Sequence, residues 1–118
     1  AGAADGDQAY MYMAMSSFDK TMSDDEGDIQ LNGDNGKCGV VYRMKLMRNA
    51  QGEVDVKTMV PAIVGGPYNA DRSVNQCNIN SISNPDNLLI LDDGRVIIGE
   101  DTGSHENNMV WVFDDPAI

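Results

Sequence analysis

Hydrophobic positions along the chain fall into short segments, each a few residues long, separated by polar stretches rich in turn formers. Residues 9–16 (AYMYMAMS) alternate in size and end in hydroxyl side chains. Their Ala and Met content would suit a helix, whereas the two tyrosines and the shortness of the run favour a strand. Residues 38–47 (CGVVYRMKLM) predict a strand, with Val40, Val41, Tyr42, Met44 and Leu46 in or near alternation with Arg43 and Lys45. Asn49-Ala50-Gln51-Gly52 makes a turn, and residues 53–60 (EVDVKTMV) return as an alternating strand. Val54 and Val56 point one way there, and Glu53, Asp55 and Lys57 the other. Pro61 suits only an edge position, because it removes a ladder donor. Gly65-Gly66-Pro67 closes this unit.

Residues 84–113 predict a second unit. An apolar run at 88–91 meets the Asp-Gly hairpin signal Asp92-Asp93-Gly94-Arg95. The β-branched residues 96–98 follow and end on Gly99-Glu100-Asp101, and a small, polar loop leads to a third strand at 109–113. Short strands and turns at this spacing are those of one blade of a β-propeller. The first unit echoes the second: strand, small or acidic turn, loop, then a strand carrying an aromatic residue. The expected fold is therefore all-β, part of a β-propeller, with about one and a half to two antiparallel blades. Residues 1–8 form a flexible terminus and 9–66 an incomplete first blade. Residues 67–83 are an Asn- and Ser-rich connector, and 84–118 a second blade lacking its outer strand. Open sheet edges would remain. They are expected to pair with the remainder of a propeller or with another chain.

Charge narrows the functions. The 118 residues carry 8 Lys plus Arg against 19 Asp plus Glu, a net charge of −11. Phosphate backbones demand the opposite sign, so nucleic acid is not an expected partner. No apolar run approaches the roughly 20 residues that cross a bilayer, and residues 1–5 lack a signal-peptide pattern. A single histidine leaves no zinc site of several His and Cys ligands. Metal chemistry would lean on oxygen ligands, which suits calcium. Cys38 and Cys77 permit one disulfide, closing a loop of about 40 residues worth about 4 kcal/mol; two free thiols are equally allowed. Residues 17–37 read as a long polar loop around a short piece at 28–31, without the ligand order of a calcium-binding EF-hand.

The candidate chemistry lies in the second unit. In an antiparallel hairpin the start of one strand lies beside the end of the next. Asp86 and Glu100-Asp101 should then meet at one sheet end, with Asn87 beside them. Carboxylates gathered this way repel unless a cation joins them. In the plainer reading, Asp86 caps a turn and Glu100-Asp101 is a solvated loop. His105 and Glu106, in the following loop, are candidates for substrate or supporting contacts, although a solvated loop histidine is the simpler expectation. Trp111 is expected in packing between blades.

Asn84-Pro85-Asp86-Asn87-Leu88, Asp93-Gly94-Arg95, Gly99-Glu100-Asp101 and Asn108-Met109-Val110-Trp111 together resemble the PhoX-type alkaline phosphatases, also known as bacterial DUF839 proteins. Residues 12–16 and 38–43 are similar to that family's propeller strands. Pro-Asp-Asn before a hairpin is shared with other six-bladed propellers, including calcium-dependent lactonases. The resemblance implies a secreted or periplasmic bacterial protein, six-bladed when complete, whose calcium and iron cluster hydrolyses small phosphate esters. It also implies Asp86, Glu100 and Asp101 as metal ligands, with the remaining ligands outside this chain. The alternative expectations are a non-catalytic propeller-derived module, with calcium-binding turns and open edges serving assembly, and a calcium-dependent lactonase-like propeller hydrolase.

Overall fold

The computed structural model describes residues 8–18 and 36–118. Two three-stranded antiparallel sheets build it, and no helix occurs among the described residues. Sheet 1 has the order β1 (Gln8–Met15), β2 (Val40–Arg48), β3 (Val54–Val64); sheet 2 has β4 (Pro85–Ile90), β5 (Val96–Glu100), β6 (Val110–Phe113). Residues 9–16 therefore form a strand, paired along its whole length with β2 from Gln8↔Met47 to Met15↔Val40. The short piece expected at 28–31 and the flexible terminus expected at 1–8 lie, apart from Gln8 at the start of β1, outside the described residues.

Sheet 1 depends on Pro61 being at an edge. β3 continues through Pro61 to Val64, beyond the end expected at residue 60, because β3 pairs on one side only. Its register slips between Val41 and Tyr42, where Pro61 faces Tyr42 and Ile63 faces Val41. The extra residue of that β-bulge is Ala62, directly after Pro61, so the ladder is interrupted next to the residue that cannot donate. Val54 and Val56, at the far end of β3, stay exposed despite their alternation.

In sheet 2 the hairpin forms as its Asp-Gly signal predicts. Leu91 and Arg95 flank the turn, with Leu91 N–H donating to the Arg95 carbonyl at 2.8 Å. Gly94 takes a φ of 90° that an L side chain resists. Asp93 accepts the backbone N–H and Nε of Arg95. The Arg95 N–H is the main cause holding the Asp93 carboxyl below its ordinary range.

Period-2 alternation assigns the faces. Val41 of β2, Val96 and Ile98 of β5 and Ile82 of the connector form one buried cluster, with Tyr12, Ile63, Leu88, Trp111 and Phe113 packed against it. This is the layer between the sheets, and Trp111 sits in it as expected. Each fully buried Val or Ile side chain contributes about 1.5–3 kcal/mol. On the other face of sheet 1, Val40 and Tyr42 form a second cluster with Met15, Phe18, Met59 and Val64. Sheet 2 differs: Leu89, Ile97 and Val112 share one cross-strand row on its outer face. Leu89 and Val112 are 60% and 58% exposed, and Val110 in the neighbouring row is 73% exposed.

A disulfide, a close backbone approach and a buried carboxylate join the parts of the fold. Cys38 and Cys77 are joined in a disulfide, which anchors the connector to the start of β2. The chain passes so close at this point that a Cβ on Gly39 would lie 2.5 Å from the Met15 carbonyl and 2.7 Å from the Pro85 ring. Beyond β6, Asp115 turns back to sheet 1, accepting 2.7 Å hydrogen bonds from Tyr12 of β1 and Arg43 of β2.

Candidate functional site

The junction between sheet 2, the connector and the loop after β5 is organised by Glu100. Its register opposite Pro85 at the end of β5 directs the carboxylate into the protein. Both it and the His105 ring are fully buried. Oε1 accepts the Met109 N–H at 3.1 Å and faces His105 Nδ1 at 2.8 Å. Oε2 accepts the Ser83 N–H at 2.9 Å and Trp111 Nε1–H at 2.7 Å. Four partners match the roughly four lone-pair sites that a carboxylate offers. His105 Nε2 donates to the Asn78 carbonyl at 3.1 Å, so that nitrogen carries its hydrogen. His105 is thus a buried link from the loop to the connector, and the solvated histidine expected from the sequence is corrected. Local polarity around it suggested solvent, but its ionisable partner five residues earlier draws the ring inward.

Asn84 is a second hub, although its sequence context marks it only as a member of a motif. It adopts φ 48°, a left-handed conformation that Asn tolerates better than most residues. Nδ2 donates to the carbonyls of Ser16 at 2.7 Å and Lys37 at 2.9 Å. Its N–H donates to the Cys38 carbonyl, and its own carbonyl accepts the Asp101 N–H. The hydroxyls of Ser83 and Thr102 lie within reach of Oδ1 and of one another. One amide therefore joins β1, the approach to β2, the connector and the loop after β5. The available signal was an Asn directly before Pro, where a turn is favoured.

The metal candidates separate. Asp86 lies in the β4 bulge between Pro85 and Asn87, opposite the end of β5, so its backbone and that of Glu100-Asp101 do share one sheet end. Their side chains differ. Asp86 and Asp101 are exposed, whereas the oxygens of Glu100 are taken by protein donors. Among the described residues, no group of three or more His, Cys, Asp or Glu is placed to hold a metal ion. Calcium or iron bound here would need ligands from beyond these residues. Asn87 is exposed on β4, and Glu106 is exposed, with its N–H donating to Asn75 Oδ1 at 2.7 Å.

A separate charged cluster ties the tail to sheet 1. Burial would raise the Asp115 carboxyl, but the Ala117 N–H, the Tyr12 hydroxyl and Arg43 outweigh it and hold the group below its ordinary range. Burial, then the hydrogen bond to Asp115, pushes the Tyr12 phenol well above its usual value. No membrane-length apolar helix is present among the described residues. No family model, curated protein or solved structure matches the chain.

Proposed function

We propose that the chain is an assembly module of a β-propeller-type protein, in which sheet 2 is an inner layer between sheet 1 and a further β-sheet with an apolar face. One observation carries this reading: sheet 2 is apolar on both sides. Leu88, Ile98 and Trp111 face sheet 1, while Leu89, Ile97 and Val112 form the matching row on the outer face. A one-sided antiparallel sheet would carry polar residues there, whereas a sheet covered on both faces is apolar throughout. The occupant is taken to be a sheet because the inner face is already covered by one, through the same alternating pattern. Open edges at β3 and β6 suit such a setting. The test is sedimentation of the native particle with Leu89→Asp and Val112→Lys introduced separately. Loss of association with the rest of the assembly supports the module. A monodisperse monomer of the unaltered chain, unaffected by either change, refutes it.

A PhoX-like metal-dependent phosphohydrolase is the second reading. What favours it is the pair of exposed carboxylates at one sheet end, Asp86 and Asp101, with the Asp101 N–H bound to the Asn84 carbonyl beside the start of β4. In that reading these two residues face a centre completed by other parts of the particle, and Glu100 supports the sheet end from within. Iron together with calcium in the native particle, and chelator-sensitive hydrolysis of a chromogenic phosphate ester, would support it. Metal content and hydrolysis both unchanged in Asp86→Ala and Asp101→Ala would remove these residues from the reaction.

A further inference from the structure

Residues 67–80 of the connector form an open surface hollow of about 330 Å³, lined by Asn69, Arg72, Asn75, Gln76, Asn78 and Asn80 with Pro67 and Ile79. It adjoins the Glu100 network through Asn78, whose carbonyl accepts His105 Nε2–H, and neither Asp86 nor Asp101 lines it. Backbone contacts hold the loop in shape: Asn69 N–H donates to the Gln76 carbonyl, Asn78 N–H to the Pro67 carbonyl, and Cys77 is locked by its disulfide.

The hydrogen-bond pattern gives this hollow a sign. Asn69 Oδ1 accepts the Asp71 N–H, Asn75 Oδ1 accepts the Glu106 N–H, and Asn78 Oδ1 accepts the Asn80 N–H. Those bonds fix which end of each amide is oxygen, and none of the three Nδ2 groups has a partner among the described residues. The backbone N–H of Arg72 donates to the Asn69 carbonyl, and its guanidinium donates once among the described residues, from Nε to the Val74 carbonyl at 3.3 Å. Among the described residues its remaining side-chain N–H groups have no partner, and it forms no ion pair. Gln76 spends its amide nitrogen on the carbonyls of Arg72 and Ser73, which leaves only its oxygen as a side-chain acceptor of fixed orientation. Among the described residues, the unpartnered side-chain groups of fixed orientation here are therefore mostly donors. On a chain of net charge −11 this is a local site of the opposite character.

We propose that this hollow binds a small organic oxyanion, a carboxylate or phosphate monoester group. The charged end meets the Arg72 guanidinium and the Asn69, Asn75 and Asn78 amides, and the carbon part lies against Pro67 and Ile79. Arginine suits either oxyanion because its planar fork donates to two oxygens at once. A neutral polyol fits less well, since its hydroxyls would find few acceptors.

The experiment is a titration of the full chain with butyrate, acetate and inorganic phosphate in separate arms at constant ionic strength, read by the side-chain amide resonances of the asparagines. Saturable shifts with butyrate or acetate identify a carboxylate ligand, and with phosphate alone a phosphate ester. Arg72→Gln should weaken the response by about tenfold or more, as expected for losing a charge-assisted pair. Asn78→Asp retains the acceptor for the Asn80 N–H but replaces the free donor with a carboxylate oxygen, and should weaken it comparably. Unchanged Trp111 fluorescence in both variants shows that the fold persists. No saturable shift with any of the three anions, or saturation that survives Arg72→Gln in the folded protein, overturns the proposal.

Discussion

Tyr12 donates its hydroxyl hydrogen to Asp115 Oδ2 at 2.7 Å, across 103 positions of sequence. Because Arg43 donates to the same oxygen, one carboxylate joins two strands of sheet 1 to the tail beyond β6. Asp115 has a depressed value in the folded state, so its contribution is fully present above the unfolded carboxylate value of about 4 and is lost as pH falls through the folded value. Tyr12 is raised, so its contribution is present below about 10 and is lost as pH rises through the folded value. Asp115→Asn should therefore remove part of the acid sensitivity of unfolding while lowering stability near neutrality. Urea denaturation across acid pH measures this; parallel profiles for the two proteins would contradict it.

Glu100 and His105 lend themselves to a graded test. Trp111→Phe keeps the apolar ring but leaves Oε2 with one donor fewer, at a cost of about 1–3 kcal/mol. Glu100→Gln is expected to cost more than Trp111→Phe, because an amide nitrogen would then face protein donors at a fully buried position that has four partners. His105→Gln can retain one of the two ring contacts and should fall between them. Denaturant midpoints give the ranking, and a Glu100→Gln protein as stable as the parent would deny Glu100 its organising role.

Gly39 and Gly52 separate two effects of glycine. Both have φ near +80°, so alanine at either carries the left-handed penalty of about 1–2 kcal/mol. A Cβ at Gly52 meets open space, whereas at Gly39 it would meet the carbonyls of Met15 and Ser16 and the ring of Pro85. Gly52→Ala should fold normally with a small loss. Gly39→Ala should lose several times as much, because the junction of β1, β2 and β4 has to open. Thermal unfolding of the two variants side by side decides this, and equal losses would mean that the junction yields readily.

These contrasts show which parts of the chain were readable in advance. Local signals sufficed for the strands and for the 91–95 hairpin, because alternation and an Asp-Gly pair act over a few residues. The edge position of Pro61 was also legible, since a missing N–H excludes a central strand. The destination of each carboxylate was not. Asp86, Glu100 and Asp101 look alike in sequence, yet only Glu100 is drawn inward, by donors from Ser83, His105, Met109 and Trp111. Asn84 was equally opaque, because its partners at Ser16 and Lys37 are 68 and 47 positions away. The apolar run at 88–91 and the β-branched residues 96–98 were visible, but the strand register was needed to place Leu89, Ile97 and Val112 in one row on the outer face.

The Cys38–Cys77 bond settles what composition left open, and its position says what it does. It closes a separation of 39 residues between the start of β2 and the connector, at a point where both side chains are wholly buried. In the chain-entropy account such a loop contributes about 4 kcal/mol by restricting the unfolded chain. Neighbouring backbone contacts reinforce the same junction, since the Cys38 carbonyl accepts the Asn84 N–H and the Cys77 N–H donates to the Ser104 carbonyl. Cutting the bond therefore loosens both the Asn84 hub and the wall of the connector hollow. The Cys38→Ala/Cys77→Ala protein should lose about 2–5 kcal/mol in urea denaturation, and its Asn78 and Asn84 amide protons should exchange faster. Because both sulfurs are buried, a mild reductant should act on the parent only when denaturant opens the fold. Rapid reduction under native conditions, with the urea midpoint unchanged, would show that the bond lies outside the cooperative core.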